Sequence, residues 1–207
     1  MSVQTRAKVV FFSFLPYFLV YYLVQTFITT SDYNFLTEID KSIPFNPHFV
    51  WVYLTMIPVV GITLIFLIKR KDLFLSAIVA FLIATVILSF FYILLPAFYP
   101  RDGFVDNSTI SGFLVELTKK LDGAQNTFPS SHVTFSWLIT FFIGLSACAK
   151  KNKWLRIGFL IWASLITLST LAIKQHFIVD ALSGILLAYL CYIFSKKMVF
   201  EGLLKTN

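Results

Sequence analysis

Apolar residues in this chain run in long blocks, and the charged residues cluster between them. Six blocks approach the length of a membrane-crossing helix, which needs about 20 apolar residues. They cover 9–28, 49–68, 73–95, 133–149, 155–173 and 177–194. Six such blocks in 207 residues leave no room for a second domain. The pattern predicts an all-α fold, a six-span transmembrane helical bundle forming one integral-membrane domain over 1–207.

The connections are unequal. Segments 69–72 and 150–154 are short and polar. Segment 29–48 mixes polar residues with Phe35, Leu36, Ile39 and Ile43 and ends near Pro44 and Pro47, so a short helix lying in the membrane interface is expected there. Segment 96–131 is the longest polar stretch, with an amphipathic patch at 113–121. Long loops are uncommon unless functional, so function is expected on the side that carries these two segments. The halves do not match as inverted repeats, which speaks against a transporter.

Charge then orients the bundle. Only 13% of residues are charged, against about 25% in an ordinary soluble domain, while 58% are hydrophobic. Twelve of the 17 Lys and Arg fall on the side of the termini, with two of the 10 acids. Positive residues in short loops mark the cytoplasmic face. Both termini are therefore expected in the cytoplasm and the long loops outside it, in a plasma or inner membrane. The net charge of +7 is this topology signal, with some attraction for anionic lipid heads. It asks for no nucleic acid. Arg6 and Lys8 resemble the start of a signal peptide, but the following block exceeds the roughly 7–15 residues of one, and Thr29-Thr30-Ser31 is a poor cleavage site. Retention as a span is expected. Cys148 and Cys191 lie within or beside apolar blocks and suggest neither a disulfide nor a metal cluster.

Two histidines carry the candidate chemistry. His132 follows Pro129-Ser130-Ser131 at the start of the fourth block, where a serine can cap the helix and its free N–H groups suit phosphate. His176 opens the sixth block, after Lys174 and Gln175. Alternating topology puts both at the extracytoplasmic face. Asp180, four residues after His176, would share a helical face with it one turn deeper. It is the only ionisable residue well inside an apolar block, and such residues are functional candidates. A carboxylate there fixes the imidazole tautomer and leaves the other nitrogen free to attack phosphorus, while the second histidine protonates the leaving oxygen. Arg101 and Lys174 are the cations nearest in sequence for the phosphate oxygens. His48 reads as an interfacial residue. The spacing fits no metal pattern, and no cofactor is expected.

At these residues the chain resembles the type-2 phosphatidic acid phosphatase superfamily, membrane enzymes acting on lipid phosphates. Its second motif, Pro-Ser-Gly-His, is similar to Pro129-Ser130-Ser131-His132. Its third, Ser-Arg followed by His and then Asp, matches Ser169, His176 and Asp180 in spacing, with Thr170 in place of the Arg. The first motif is absent as such. Pro100-Arg101 is its nearest counterpart, with Leu94 at the place of its Lys. The resemblance implies that His176 is the nucleophile that becomes phosphohistidine, Asp180 its orienting partner and His132 the general acid, with Ser130 and Ser131 touching phosphate. It implies hydrolysis of a phosphatidate, phosphatidylglycerophosphate or prenyl-pyrophosphate type of lipid. The missing Arg is also similar to the sphingomyelin and inositol phosphorylceramide synthases, which implies transfer of a phospho-headgroup to a lipid alcohol as the alternative. A non-catalytic lipid-binding relative or a transporter is the third.

Overall fold

The computed structural model of the chain describes residues 1–28, 33–100 and 108–199. In chain order the helices are α1 (Val3–Phe27), α2 (Glu38–Ser42), α3 (Pro47–Leu67, a broken stretch), α4 (Lys71–Leu94), α5 (Ile110–Asp122), α6 (Ser131–Leu145), α7 (Ala147–Lys151), α8 (Lys153–Ala172) and α9 (Ile178–Lys197). Among the described residues the extended pairing is one isolated bridge, Tyr33 with Ala97. The all-helical expectation holds.

Six spans were expected, and five of these helices are long and apolar enough to cross a membrane: α1, α3, α4, α8 and α9. The expected fourth span, 133–149, is divided. Ser146 takes an extended conformation, and its hydroxyl accepts a hydrogen bond from Ala149 N at 3.2 Å. It therefore ends α6 and caps α7, as serine does when it competes for backbone groups. At about 1.5 Å per residue α6 spans about 22 Å, short of the roughly 30 Å hydrocarbon core. It is also the innermost helix, packed by α4, α8 and α9, with Leu138, Ile139, Phe142 and Ile143 wholly buried. Its apolar block serves protein packing rather than lipid contact.

The second expected span, 49–68, begins two residues early and is not one smooth helix. Pro58 lacks an N–H and crowds the carbonyl four residues back, which is Leu54. The α-helical pattern is interrupted there, between Val50–Tyr53 and Met56–Ile62.

Aromatic rings join α1, α4 and α6. Phe81 and Phe135 stack with centroids 5.2 Å apart, and Tyr17 meets Phe135 edge-on at 5.0 Å. The outer faces of α1 and α8 expose Phe11, Leu19, Tyr22, Ile161 and Leu168. Soluble monomers rarely show contiguous apolar surface beyond a few hundred Å², so these faces suit acyl chains.

The described parts of the two polar segments fold over one end of the bundle. The amphipathic patch expected at 113–121 is α5, longer at both ends. His48, expected only as an interfacial residue, ties α3 to α5 through Nδ1 and Ser111 Oγ at 3.2 Å. The far end of α5 is held to α1 by Tyr21 Oη and Gln25 Nε2, which donate to the carbonyls of Asp122 and Leu121. Gly123 follows with φ +61°, where a Cβ would lie 2.6 Å from Gln25 Nε2. Only glycine fits that turn without strain. The short helix expected within 29–48 is α2, which Thr37 and Asp40 cap reciprocally.

Candidate functional site

His132 sits in the first turn of α6. Ser130 caps that helix, its hydroxyl accepting from Val133 N, as the serine pattern predicted. The His132 ring stacks on Tyr53 of α3, centroids 4.0 Å apart, and its Nδ1 lies 3.2 Å from the Tyr53 hydroxyl. That hydroxyl donates to Asp122 Oδ2 at 2.6 Å, a length usual for a donor to a carboxylate. A phenol has one proton to give, so toward His132 it accepts. The network thus assigns the proton to Nδ1 of His132 and extends a carboxylate's influence to it through Tyr53.

His176 was expected on a helix with Asp180 one turn behind. It instead precedes the helix: α9 starts at Ile178, with Phe177 as its cap residue. Asp180 Oδ2 accepts from Phe177 N at 2.9 Å and so closes the first turn. His176 Nδ1 lies 3.5 Å from that oxygen but 2.9 Å from the Thr127 carbonyl. The hydrogen bond goes to Thr127, and Asp180 contributes negative charge beside the ring. A carbonyl only accepts, so Nδ1 carries the proton and Nε2 keeps its lone pair.

The two histidines approach with ring centroids 6.4 Å apart. Direct backbone contact sets this distance. Ser130 N donates to the Asp180 carbonyl at 3.0 Å, and Thr134 Oγ1 lies 3.3 Å from the Gly184 carbonyl. A Cβ on Gly184 would stand 2.8 Å from Ser130 O, so α6 and α9 touch as closely as they do because position 184 has no side chain.

The second layer includes residues that sequence reasoning missed. Asp40 of α2 accepts from Ile178 N at 2.7 Å, putting a carboxylate on the N-terminus of α9. Thr37-x-x-Asp40 carried a capping-box signal, and Asp122 stands just before a glycine at a helix end. Nothing local pointed to Tyr53 or Thr127. Lys174, expected at the phosphate, is bound elsewhere: Nζ donates to the carbonyls of Asp40 at 2.9 Å and Ile43 at 2.6 Å. Burial holds its ammonium below the ordinary lysine range, with Asp40 partly offsetting this. It pins α2 to the turn before His176. Arg101 lies outside the described residues. Thr170, at the place of the motif Arg, uses its carbonyl to accept from Gln175 N and His176 N. Ser130 and Ser131 are both buried. Thr127 Oγ1, Gln175 Nε2 and Asp180 Oδ1 are buried without a partner near His176, and unpaired polar atoms of this kind call for an explanation. Among the described residues no group of His, Cys, Asp and Glu could hold a metal ion.

The family model of the PAP2 superfamily matches residues 32–194, which includes both histidines, Asp180, α2 and α5. The chain belongs to the PAP2 superfamily. No curated protein and no solved structure matches it. With five apolar helices, a PAP2-superfamily chain of this kind is an integral membrane protein with a phosphatase or phosphotransferase type of activity.

Proposed function

We propose that this protein hydrolyses a lipid phosphate at the extracytoplasmic face, by way of a phosphohistidine on His176. The observation that carries this reading is the opposed pair: two imidazoles 6.4 Å apart, each anchored at Nδ1 by its own partner. The gap suits one phosphoryl group. Nε2 of His176 attacks phosphorus, and the P–O bond to the lipid breaks with its electron pair on oxygen. His132, in its imidazolium form, gives that oxygen the proton on its Nε2 and is left neutral. Water activated by His132 then cleaves the P–N bond and releases phosphate. Asp180 stabilises the charge that develops on His176, and Asp122 acts similarly on His132 through Tyr53.

The equatorial oxygens need donors. Arg101 fits that role in place of the absent motif Arg. Gln175 Nε2 and Thr127 Oγ1 are unsatisfied donors beside the nucleophile. Lys174, with two of its protons on backbone carbonyls, serves as a tether and a nearby positive charge.

Thr170 in place of the motif Arg favours a second reading, transfer of a phospho-headgroup to a lipid alcohol. One assay separates the two. Purified protein in nanodiscs is given phosphatidate, phosphatidylglycerophosphate and a prenyl pyrophosphate, with and without ceramide or diacylglycerol. Hydrolysis releases phosphate from the lipid alone, and His176→Ala abolishes it while leaving a folded protein. Product only in the presence of the alcohol establishes transfer. Wild-type turnover in His176→Ala overturns the mechanism, and no product under any condition leaves a lipid-binding relative or a transporter.

A further inference from the structure

A cavity of about 510 Å³ opens between α1, α3 and α6. His132, Asp122 and Gln25 form its polar end, and the rest of its wall is almost wholly apolar. Met56 and Phe135 are buried behind it. Phe11, Phe18 and Ile57 at its mouth are 64%, 46% and 57% exposed, on faces that meet lipid in a membrane. The groove therefore opens sideways into the bilayer and ends at a catalytic candidate.

Its dimensions select an occupant. The lining on α1 runs from Val10 to Gln25, about 22 Å at about 1.5 Å per residue. One leaflet is about 15 Å deep, half of the roughly 30 Å core, so a whole leaflet-length chain fits. Gly61 lies in this wall, eight residues after Tyr53 on α3, or about 12 Å from the histidine end. A Cβ there would meet nothing within 4 Å. A larger side chain at position 61 would therefore project into open space along this wall.

We propose that this groove holds a hydrocarbon chain of the alcohol that departs from phosphorus, and that Gly61 sets how long that chain can be. This rests on the lipid-phosphate reading above. The assignment to the leaving alcohol follows from the chemistry. His132 donates its proton to the leaving oxygen, so the chain on that oxygen extends from His132 rather than from His176.

Wild type, Gly61→Phe and the milder Gly61→Leu, reconstituted in nanodiscs, are each given octyl phosphate and hexadecyl phosphate. Binding and phosphate release are both measured. Gly61→Phe is expected to lower kcat/KM and affinity for the hexadecyl compound at least about tenfold while leaving the octyl compound within about twofold, with Gly61→Leu between. An unchanged ratio of the two compounds, or equal loss of both in both variants, overturns the groove assignment. If binding shifts as expected but neither compound releases phosphate in wild type, the groove stands and the hydrolytic reading fails. If both are hydrolysed with an unchanged ratio, the hydrolytic reading stands and the groove fails.

Discussion

Tyr53 joins Asp122 to His132 through one hydroxyl, and that hydroxyl can be removed while its ring stays stacked on the imidazole. Tyr53→Phe is expected to lower kcat roughly tenfold to a hundredfold, less than the roughly 10²–10⁴ attributed to a whole general acid. KM should stay nearly constant, because no substrate contact is removed. An unchanged kcat in steady-state assays would show that Asp122 has no part in His132's chemistry. His176 illustrates a different point at this scale. The His-x-x-x-Asp spacing suggested a helical pair. The side chains do come together, but because Asp180 closes the first turn of α9 and brings the preceding residue back over it. The spacing was legible; the Thr127 carbonyl that binds Nδ1 was not, since 49 residues separate the two.

At the scale of elements, the α6–α9 contact holds the histidines at their distance. Gly184→Ala places a methyl group 2.8 Å from the Ser130 carbonyl, and a backbone atom cannot step aside as a flexible side chain can. Overpacking of this kind costs about 1–3 kcal/mol. Thermal unfolding in detergent should show a lower Tm, with activity falling further because His132 moves with Ser130. Gly144→Ala on α6 is the control. Nothing lies within 4 Å of its added Cβ, and replacing a helical glycine by alanine there should raise stability by roughly 0.5–1 kcal/mol. Equal effects of the two substitutions would remove the close-contact argument. α2 and α5 act as clamps at the same end, α2 through Asp40 on α9 and α5 through Asp122 on Tyr53. Their existence could be read from patch composition and turn residues. Their targets could not, because a short amphipathic helix does not specify which surface it will cover.

For the whole molecule, the orientation in the membrane can be measured directly. The distribution of Lys and Arg predicts that the histidine end lies outside the cytoplasm. In a background with Cys148 and Cys191 replaced by alanine, Ser108→Cys should react with a membrane-impermeant maleimide on intact cells. Lys71→Cys, at the opposite end, should react only after permeabilisation. The reverse pattern would place the site in the cytoplasm and change which lipids can reach it.

The amino-acid sequence by itself determined that the chain is a bundle of apolar helices, which histidines share one end of it, and which motif they belong to. Those properties are local: block hydrophobicity, residue spacing and the alternation of direction at each turn. Only the tertiary structure decided that the fourth apolar block is a short core helix divided at Ser146, that Lys174 is bound to the backbone of α2 and its C-terminal flank, and that Tyr53 bridges Asp122 and His132. It also decided that an apolar groove leads away from that histidine. An apolar residue satisfies lipid and protein equally well, and the partners of Tyr53 lie 69 and 79 residues away, so packing alone could bring them together.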